Sequence, residues 1–164
     1  MPTIEDYAKQ PRERRIERLT RTADDLAAAV AGQADGAMSR RPDATNWAAK
    51  EIVCHLRDTE EAFAARMAQV LAMDVDPKLV PTDPARWAEE RQYLRHDAAT
   101  ALAHFRRRRG ESLETLVASS PSDWQRGGEH PTRGRLTIDM LVAQMAWHDD
   151  NHLEQLTRAV EGRP

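Results

Sequence analysis

The sequence predicts an all-α fold, a four-helix bundle with long crossover connections. Four long segments carry apolar residues at intervals of three and four, the spacing that lines one face of a packed helix. The chain has only 7 glycines in 164 residues and 31% charged residues, a balance typical of helices rather than of a turn-rich sheet. No strand-like alternation and no repeat interrupts the pattern, so a single domain is expected over residues 1–164, and its long connections favour crossovers over minimal turns.

The N-terminal part should form a short helix followed by the first bundle helix. Thr3 and Asp6 have the spacing of a capping box. Pro11 suits the first turn of the next helix, which should end where glycines appear in residues 32–36. Its apolar stripe consists of Ile16, Leu19, Ala23, Leu26 and Val30.

The second bundle helix should follow the loop of residues 41–46, with Thr45 or Asn46 as its N-cap. On a helix, His55 lies about 60° from the centre of the apolar stripe, at the edge of the buried face. A ligand would lie there if a site opened between helices. The stripe itself consists of Ile52, Leu56, Thr59, Phe63, Met67 and Val70.

The third bundle helix should begin after a crossover of residues 74–83, which contains two prolines. Asp83 as N-cap with Pro84 at the first helical position marks its start. Any bend is expected at Gly110 or in the arginines of residues 106–109. The inner face is expected to consist of Trp87, Leu94, Ala98, Ala101, Phe105 and Leu116.

The last helix carries the most informative pattern in the chain. Residues 121–136 are expected to form a long loop, a length more often functional than merely connecting, and Thr137 should cap the helix that follows. At two consecutive positions of the apolar stripe, histidine replaces an apolar residue. The stripe consists of Ile138, Leu141, Met145, His148, His152, Leu156 and Ala159.

His148 and His152 therefore lie one above the other on a helix face that should be buried. Burying two unpaired imidazoles would be costly, so we expect them to bind one divalent cation together. A third ligand must come from another helix or loop, and His55 is favoured because it flanks the buried face of the second bundle helix. The remaining histidines are His104 near the edge of the third helix's inner face, His96 pointing outward and His130 in a loop.

Neighbouring residues have plainer explanations. Asp149 and Asp150 are expected at the surface or accepting the free N–H of a ligating imidazole. Trp47 and Trp87, each near a helix start, are expected to be packing anchors. Cys54 points about 100° away from its neighbour on the helix and is expected to be a small buried residue rather than a nucleophile.

Charge and composition exclude several classes of partner. The net charge is -3, so no strong field for nucleic acid or an anionic membrane is expected, and the arginines of residues 106–109 should be a solvated segment with acidic neighbours. No apolar run approaches the ~20 residues needed to span a bilayer, and the N-terminus lacks the apolar core of a signal peptide. A lone cysteine permits no internal disulfide. We therefore expect a cytoplasmic protein.

The sequence resembles the DinB/YfiT-like superfamily of bacterial four-helix bundles. Members of that family typically bind a divalent metal through one histidine of the second helix and an H-x-x-x-H pair of the last. His55, His148 and His152 match those positions. The resemblance covers most of the chain and is carried by residues 47–58, the loop 123–131 and residues 148–155.

The resemblance implies a metal-dependent transferase that uses a low-molecular-weight thiol of the bacillithiol, mycothiol or glutathione type. Zinc or nickel would be the metal, a small molecule the substrate and a homodimer the assembly. Two alternatives stay open: a hydrolase using metal-bound hydroxide, and a non-catalytic, stress-related metal-binding protein. No catalytic side chain is assigned beyond the ligands. The carboxylates of a thiol cofactor could be held by Arg57, Arg66, Arg133 or Arg135.

Overall fold

A computed structural model describes residues 2–164 and contains the four long helices of the expected bundle. Among the described residues, none of the helices combines the length and the hydrophobicity that spanning a bilayer requires. Short helices and one hairpin complete the secondary structure. The elements are α1 (Ile4–Ala8), α2 (Arg12–Val30), α3 (Asp35–Met38), α4 (Ala49–Ala72), α5 (Pro84–Glu90), α6 (Ala98–Ala118), β1 (Gly127–His130), β2 (Gly134–Thr137) and α7 (Ile138–Val160).

The four long helices form a ring in which each contacts two others. α2 and α4 both pack against α6 and α7, so the apolar stripes meet along the axis of the bundle. The expected stripes of α4 and α7 are confirmed, since their large apolar residues are almost fully buried. The middle of the α2 stripe is buried too, whereas Ile16 and Val30 near its ends are only partly buried. The side chains with an exposed fraction of 0 or 1% are Leu19, Leu26, Ile52, Leu56, Met67, Ile138, Leu141, Met145 and Leu156.

Three of the expected helix starts are confirmed. Thr3 and Asp6 form a reciprocal capping box at the start of α1. Asp83 caps α5, with Pro84 inside the first turn. Thr137 caps α7 through a hydrogen bond that its hydroxyl oxygen accepts from the third following residue. These caps satisfy backbone N–H groups that have no partner within the helix.

The expected N-cap of α4 is wrong. The cap is Ala48, whose backbone N–H donates to the Glu51 carboxylate at 2.9 Å. Thr45 and Asn46 are engaged elsewhere, because both donate their backbone N–H groups to the carboxylate of Asp43. That turn uses the residues that the sequence favoured as caps, and α4 begins two or three residues later than expected.

The third bundle helix is shorter than expected, and its break lies before Gly110 rather than at it. Gln92 adopts a left-handed conformation with φ of 51°, which ends the helical course after α5. A single 3₁₀ turn follows, and Asp97 caps a new helix, α6, which continues through Gly110. Leu94, expected on the inner face, is 38% exposed, and Tyr93 is buried in its place.

The segment of residues 121–136, expected to be a long loop, contains an antiparallel hairpin of β1 and β2. Gly134, the first residue of β2 after the turn, has a φ of 70°. The crossover of residues 74–83 docks on this hairpin, where the Leu79 N–H donates to the Glu129 carbonyl at 2.9 Å. A Cβ at Gly128 would lie 2.7 Å from Leu79 Cδ2, so glycine permits the close approach.

Candidate metal centre

Three histidine side chains converge between α4 and α7. His148 and His152 are one turn apart on α7, and His55 faces them from α4. The Nε2 atom of His55 lies 3.0 Å from the Nε2 atoms of both His148 and His152. The ring centroids of His148 and His152 are 4.3 Å apart. The structure therefore brings together the three residues that the sequence favoured as metal ligands.

These distances fit a cation better than they fit hydrogen bonds. A neutral imidazole nitrogen carries either one proton or one lone pair, so His55 Nε2 cannot bond well to two other ring nitrogens at once. Ligand nitrogens about 2.0–2.1 Å from a tetrahedral zinc ion lie about 3.3 Å from one another, close to the spacing here. One nitrogen from each ring lies within 4.8 Å of the others. The donor set suits a divalent transition metal.

A hydrogen bond on the far side of His152 sets the tautomer of its ring. His152 Nδ1 lies 2.8 Å from the side-chain oxygen of Gln155, which can only accept, so Nδ1 carries the proton. The lone pair of Nε2 is then free to face His55. The sequence suggested Asp149 or Asp150 for this role, but neither carboxylate hydrogen bonds to a ligand ring. Gln155 follows His152 by three residues, a spacing at which helical side chains meet.

Burial keeps all three imidazoles neutral. It lowers the pKa of His55 to about 3, with a further contribution from the charge of His152. Burial, together with the charges of the other two rings, also holds the pKa of His148 well below 6.5. Burial lowers the pKa of His152, whereas the hydrogen bond that its ring donates to Gln155 raises it. Neutral imidazole is the form that binds metal, so the site is ready for a cation at neutral pH.

Aromatic rings form two walls of the site. The Trp47 ring centroid lies 4.9 Å from that of His55, and the Phe63 ring centroid lies 6.0 Å from that of His148. Trp47 is therefore a neighbour of the site, although the sequence suggested only a packing role. Such rings limit the access of water to the ligands.

The carboxylates close to the ligands in sequence are already engaged. Asp149 is 1% exposed and accepts hydrogen bonds from Arg109 and Thr22. Asp150 accepts from Tyr7. Asp58, one turn after His55, accepts from Arg57, Arg91 and Tyr93. None of these three acids is free to act as a base beside the histidines.

The other histidines lie outside the cluster. His104 is exposed on α6. His96 accepts from Arg57 at 3.0 Å and lies 2.9 Å from the backbone carbonyl of Arg91. His130 is part of β1 and lies 3.3 Å from the Thr132 hydroxyl.

Cys54, next to His55, turns away from the candidate ligands as expected. Its Sγ lies 3.9 Å from the Tyr93 carbonyl oxygen. Burial raises the pKa of this thiol to about 11. A protonated, buried thiol is a poor nucleophile.

The four candidate arginines differ in whether a carboxylate already neutralises them. Arg57 pairs with Asp58 at 2.7 Å and Arg135 with Asp76 at 2.5 Å. Arg133 instead donates to the neutral Gln144. The fourth, Arg66, donates from Nη2 to the backbone carbonyl oxygen of Val80 and pairs with no carboxylate among residues 2–164.

The sequence did not reveal a buried ion network at the centre of the bundle. Arg109, on α6, lies between Glu60 of α4 and Asp149 of α7. Thr22 of α2 donates to the same Asp149 at 2.6 Å. The network therefore joins all four long helices and holds the backbone next to His148. Its only sequence signal was polar residues on faces that also carry apolar stripes.

Comparison with known proteins identifies both a matching family and a solved structure with the same fold. A family model described as the DinB superfamily matches residues 18–156. The solved structure of YfiT from Bacillus subtilis, described as a probable metal-dependent hydrolase with an unusual four-helix bundle topology, matches with a TM-score of 0.84. The match covers 98% of this chain and 89% of the YfiT chain at 21% sequence identity, which shows that the two share a fold.

Two relatives carry related names. "Putative metal-dependent hydrolase OB0782" of Oceanobacillus iheyensis is 29% identical over 112 residues, which is 68% of this chain and 63% of that protein. The chain thus spans less than two thirds of that relative. "Putative metal-dependent hydrolase YfiT" of Bacillus subtilis is 23% identical over 154 residues, 93% of this chain and 86% of that protein. The resemblance noted in the sequence is confirmed by the match over residues 18–156: this chain belongs to the DinB superfamily.

Proposed function

We propose that this protein is a metal-dependent hydrolase of a small molecule, with His55, His148 and His152 as its metal ligands. The observation that carries the proposal is the convergence of three Nε2 atoms, with the His55 nitrogen 3.0 Å from each of the others. The names of the two relatives support hydrolysis as the reaction.

The arrangement suits catalysis better than a structural role. Structural zinc sites normally have four protein ligands, and a three-ligand site leaves one position open. A divalent cation in such a site lowers the pKa of a water or thiol in the open position. The chain's own residues supply the rest: Gln155 orients His152, and the rings of Trp47 and Phe63 shield the ligands.

Thiol transfer is the second candidate, and the engaged carboxylates favour it. Asp58, Asp149 and Asp150 are all hydrogen bonded elsewhere, so no nearby acid is available as a general base for water. A thiol has a much lower pKa than water, so on binding a cation it would release its proton to solvent without such a base. For this reaction we propose a bacillithiol, mycothiol or glutathione type of cofactor, zinc or nickel as the metal, and a homodimer.

Metal analysis tests the proposal that both reactions share. Protein purified without an affinity tag should contain about one equivalent of a divalent transition metal. His55→Ala, His148→Ala and His152→Ala should each lose it, because two remaining imidazoles bind far more weakly. His104→Ala is the matched control, since His104 is exposed on α6. Equal metal content in all four variants would refute the site.

A cobalt-substituted protein separates the two reactions. Entry of sulfur into the coordination sphere changes the visible spectrum, so a shift with a low-molecular-weight thiol supports transfer. A spectrum that is unchanged by such thiols, together with turnover of ester or amide substrates that is lost in His148→Ala, supports hydrolysis. Metal removal separates catalysis from a non-catalytic role, because loss of a structural metal lowers the Tm greatly.

A further inference from the structure

Arg66 is a buried cation without a counter-ion. Its exposed fraction is 8%. The other buried basic side chains in residues 2–164 are paired: Arg15 with Asp139 at 3.0 Å, Lys50 with Asp35 at 2.6 Å, and Arg109 with two acids. No carboxylate in the described part of the chain lies within 4.0 Å of the Arg66 guanidinium. A buried charge is normally paired, so this one calls for an explanation.

The contacts that Arg66 does make leave most of its charge uncompensated. Its Nη2 donates to the Val80 carbonyl oxygen at 2.8 Å, a bond that any neutral donor could make. Its Nε is buried and has no hydrogen-bond partner. Burial lowers the pKa of Arg66, and the nearby charge of Arg133 lowers it further. The surroundings therefore disfavour the charged form, and an anion would reverse that effect.

Arg66 lies close to the candidate metal centre. It is eleven residues after His55 on α4, about 16 Å along the helix axis, and its side chain is turned by only about 20° about that axis. The Phe63 ring centroid lies 6.0 Å from Arg66 Cζ and 6.0 Å from the His148 ring. Arg66 Cζ is therefore at most 12 Å from the His148 ring centroid, twice the 6.0 Å of each contact.

Space for a ligand exists beside the guanidinium. Arg66 lines a cavity of about 320 Å³ together with Val80 of the crossover and Trp87 of α5. That volume is in the range of small-molecule sites. Two acids also line the cavity, and each is paired with an arginine: Asp58 with Arg91, and Glu61 with Arg108.

A second cation faces the same end of the site. Arg133, in the turn of the hairpin, donates to the Gln144 side-chain oxygen at 2.6 Å. Gln144 precedes His148 by one turn of α7, so this contact ties the exposed Arg133 to that helix one turn before the candidate ligand. The charges of Arg66 and Arg133 also lower the pKa of His130, an effect to which burial contributes most.

We propose that Arg66, assisted by Arg133, binds an oxyanion group, a carboxylate or a phosphate, of the substrate. The substrate class is then a small molecule that carries such an anionic group. Guanidinium is the side chain that best matches the planar geometry of such a group. As a statement about substrate, the inference rests on the proposed function, but the oxyanion site itself does not.

Binding of oxyanions to metal-free protein tests the proposal. Inorganic phosphate and succinate are added separately at constant ionic strength after removal of metal with a chelator. For the wild type, a concentration ten times the Kd of the bound oxyanion should raise the Tm by about 3–6 °C. In Arg66→Gln the Kd should rise roughly tenfold or more. The response to phosphate, to succinate or to both identifies the group.

Arg107→Gln is the matched control. Arg107 is exposed on α6, so its replacement changes the net charge equally and should leave the oxyanion response intact. Equal oxyanion affinity in wild type and Arg66→Gln would overturn the proposal. So would the absence of any response to either probe in the wild type.

Two further readouts separate binding from a structural role. The NMR signal of the Arg66 Nε–Hε group, identified by its absence in Arg66→Gln, should shift as phosphate is added. Without oxyanion, Arg66→Gln should melt at the same or a higher temperature than wild type, because the replacement removes an unpaired buried charge. A large fall in Tm, with no shift of the NMR signal in the wild type, would show a structural arginine and overturn the proposal.

Failure of this inference can be told from failure of the proposed function. A protein that retains one metal ion but shows no oxyanion response refutes only the role of Arg66. A protein that binds phosphate through Arg66 but holds no metal refutes the metal site and leaves the oxyanion site standing.

Discussion

Replacement of Arg109 by methionine should be among the most destabilising single changes in this protein. Arg109 Nε donates to Glu60 at 2.9 Å, and Arg109 Nη1 and Nη2 both donate to Asp149. Glu60 and Asp149 are each 1% exposed. Burial alone would lower the pKa of Arg109, but the charges of Asp149 and Glu60 outweigh that effect and raise it. The guanidinium therefore stays charged at any working pH.

The expected cost follows from what Arg109→Met leaves behind. The carboxylates of Glu60 and Asp149 remain in the core without their shared cation. Each keeps one hydrogen bond from a hydroxyl group, Asp149 from Thr22 and Glu60 from Ser112. Removal of one partner from a buried ion pair typically costs about 3–5 kcal/mol. For a chain of this length, that corresponds to a Tm lower by about 6–20 °C. Urea unfolding followed by circular dichroism measures the free energy directly.

A combined variant tests the cause of that loss. Adding Glu60→Gln and Asp149→Asn to Arg109→Met removes the stranded charges, so part of the lost stability should return. The control is Arg107→Met on the same helix, which should change the stability by no more than about 0.5 kcal/mol. If Arg109→Met costs less than about 1 kcal/mol, the network does not stabilise the bundle, and the reasoning fails.

Three further outcomes are expected. In metal-free protein the free energy of unfolding should fall as the pH drops below 6.5, because only the unfolded chain takes up protons on the three histidines; burial lowers their folded pKa values, to about 3 for His55. The slope should reach ~1.4 kcal/mol per pH unit for each histidine. Urea titrations from pH 7 to 4 that show no fall would contradict this prediction. Burial raises the pKa of the Cys54 thiol to about 11, so Cys54 should react with an aromatic disulfide reagent only as fast as the protein unfolds. Fast labelling of the folded protein would be inconsistent with a buried thiol. Gln155→Met should weaken metal affinity ~10–100-fold by releasing the His152 ring, as measured by competition with a chromogenic chelator, whereas an unchanged affinity would remove Gln155 from the site.

Those parts of the fold that depend on helical periodicity could be predicted from the sequence. The stripe around Ile52 and the caps at Thr3 and Asp83 are local patterns, and the structure confirms them. The break at Gln92 could not be predicted, because a left-handed glutamine has no sequence signal comparable with glycine. The hairpin was missed because its strands have four residues each, too few for an alternating pattern to stand out.

The site was predictable to the extent that it depends on helix geometry. His148 and His152 share a face by spacing alone, whereas the placement of His55 against them needed the packing of α4 on α7. Residue 55 was expected at the edge of the buried face, and it is only 3% exposed. The contact from Gln155 follows from a spacing of three, but nothing in the sequence distinguished it from the two aspartates that were favoured.

Arg66 and Arg109 show what the sequence alone could not reveal about buried charge. The run of four arginines drew attention to residue 109 as part of a solvated segment, and the structure places it in the core between two acids. Arg66 stands alone in the sequence, yet it is the buried cation without an acid in residues 2–164. A fold that only needed stability would have no reason to keep that charge. The two replacements should therefore differ in sign, with Arg109→Met destabilising the free protein and Arg66→Gln not, and the uncompensated charge marks the part of the bundle where a ligand supplies the missing partner.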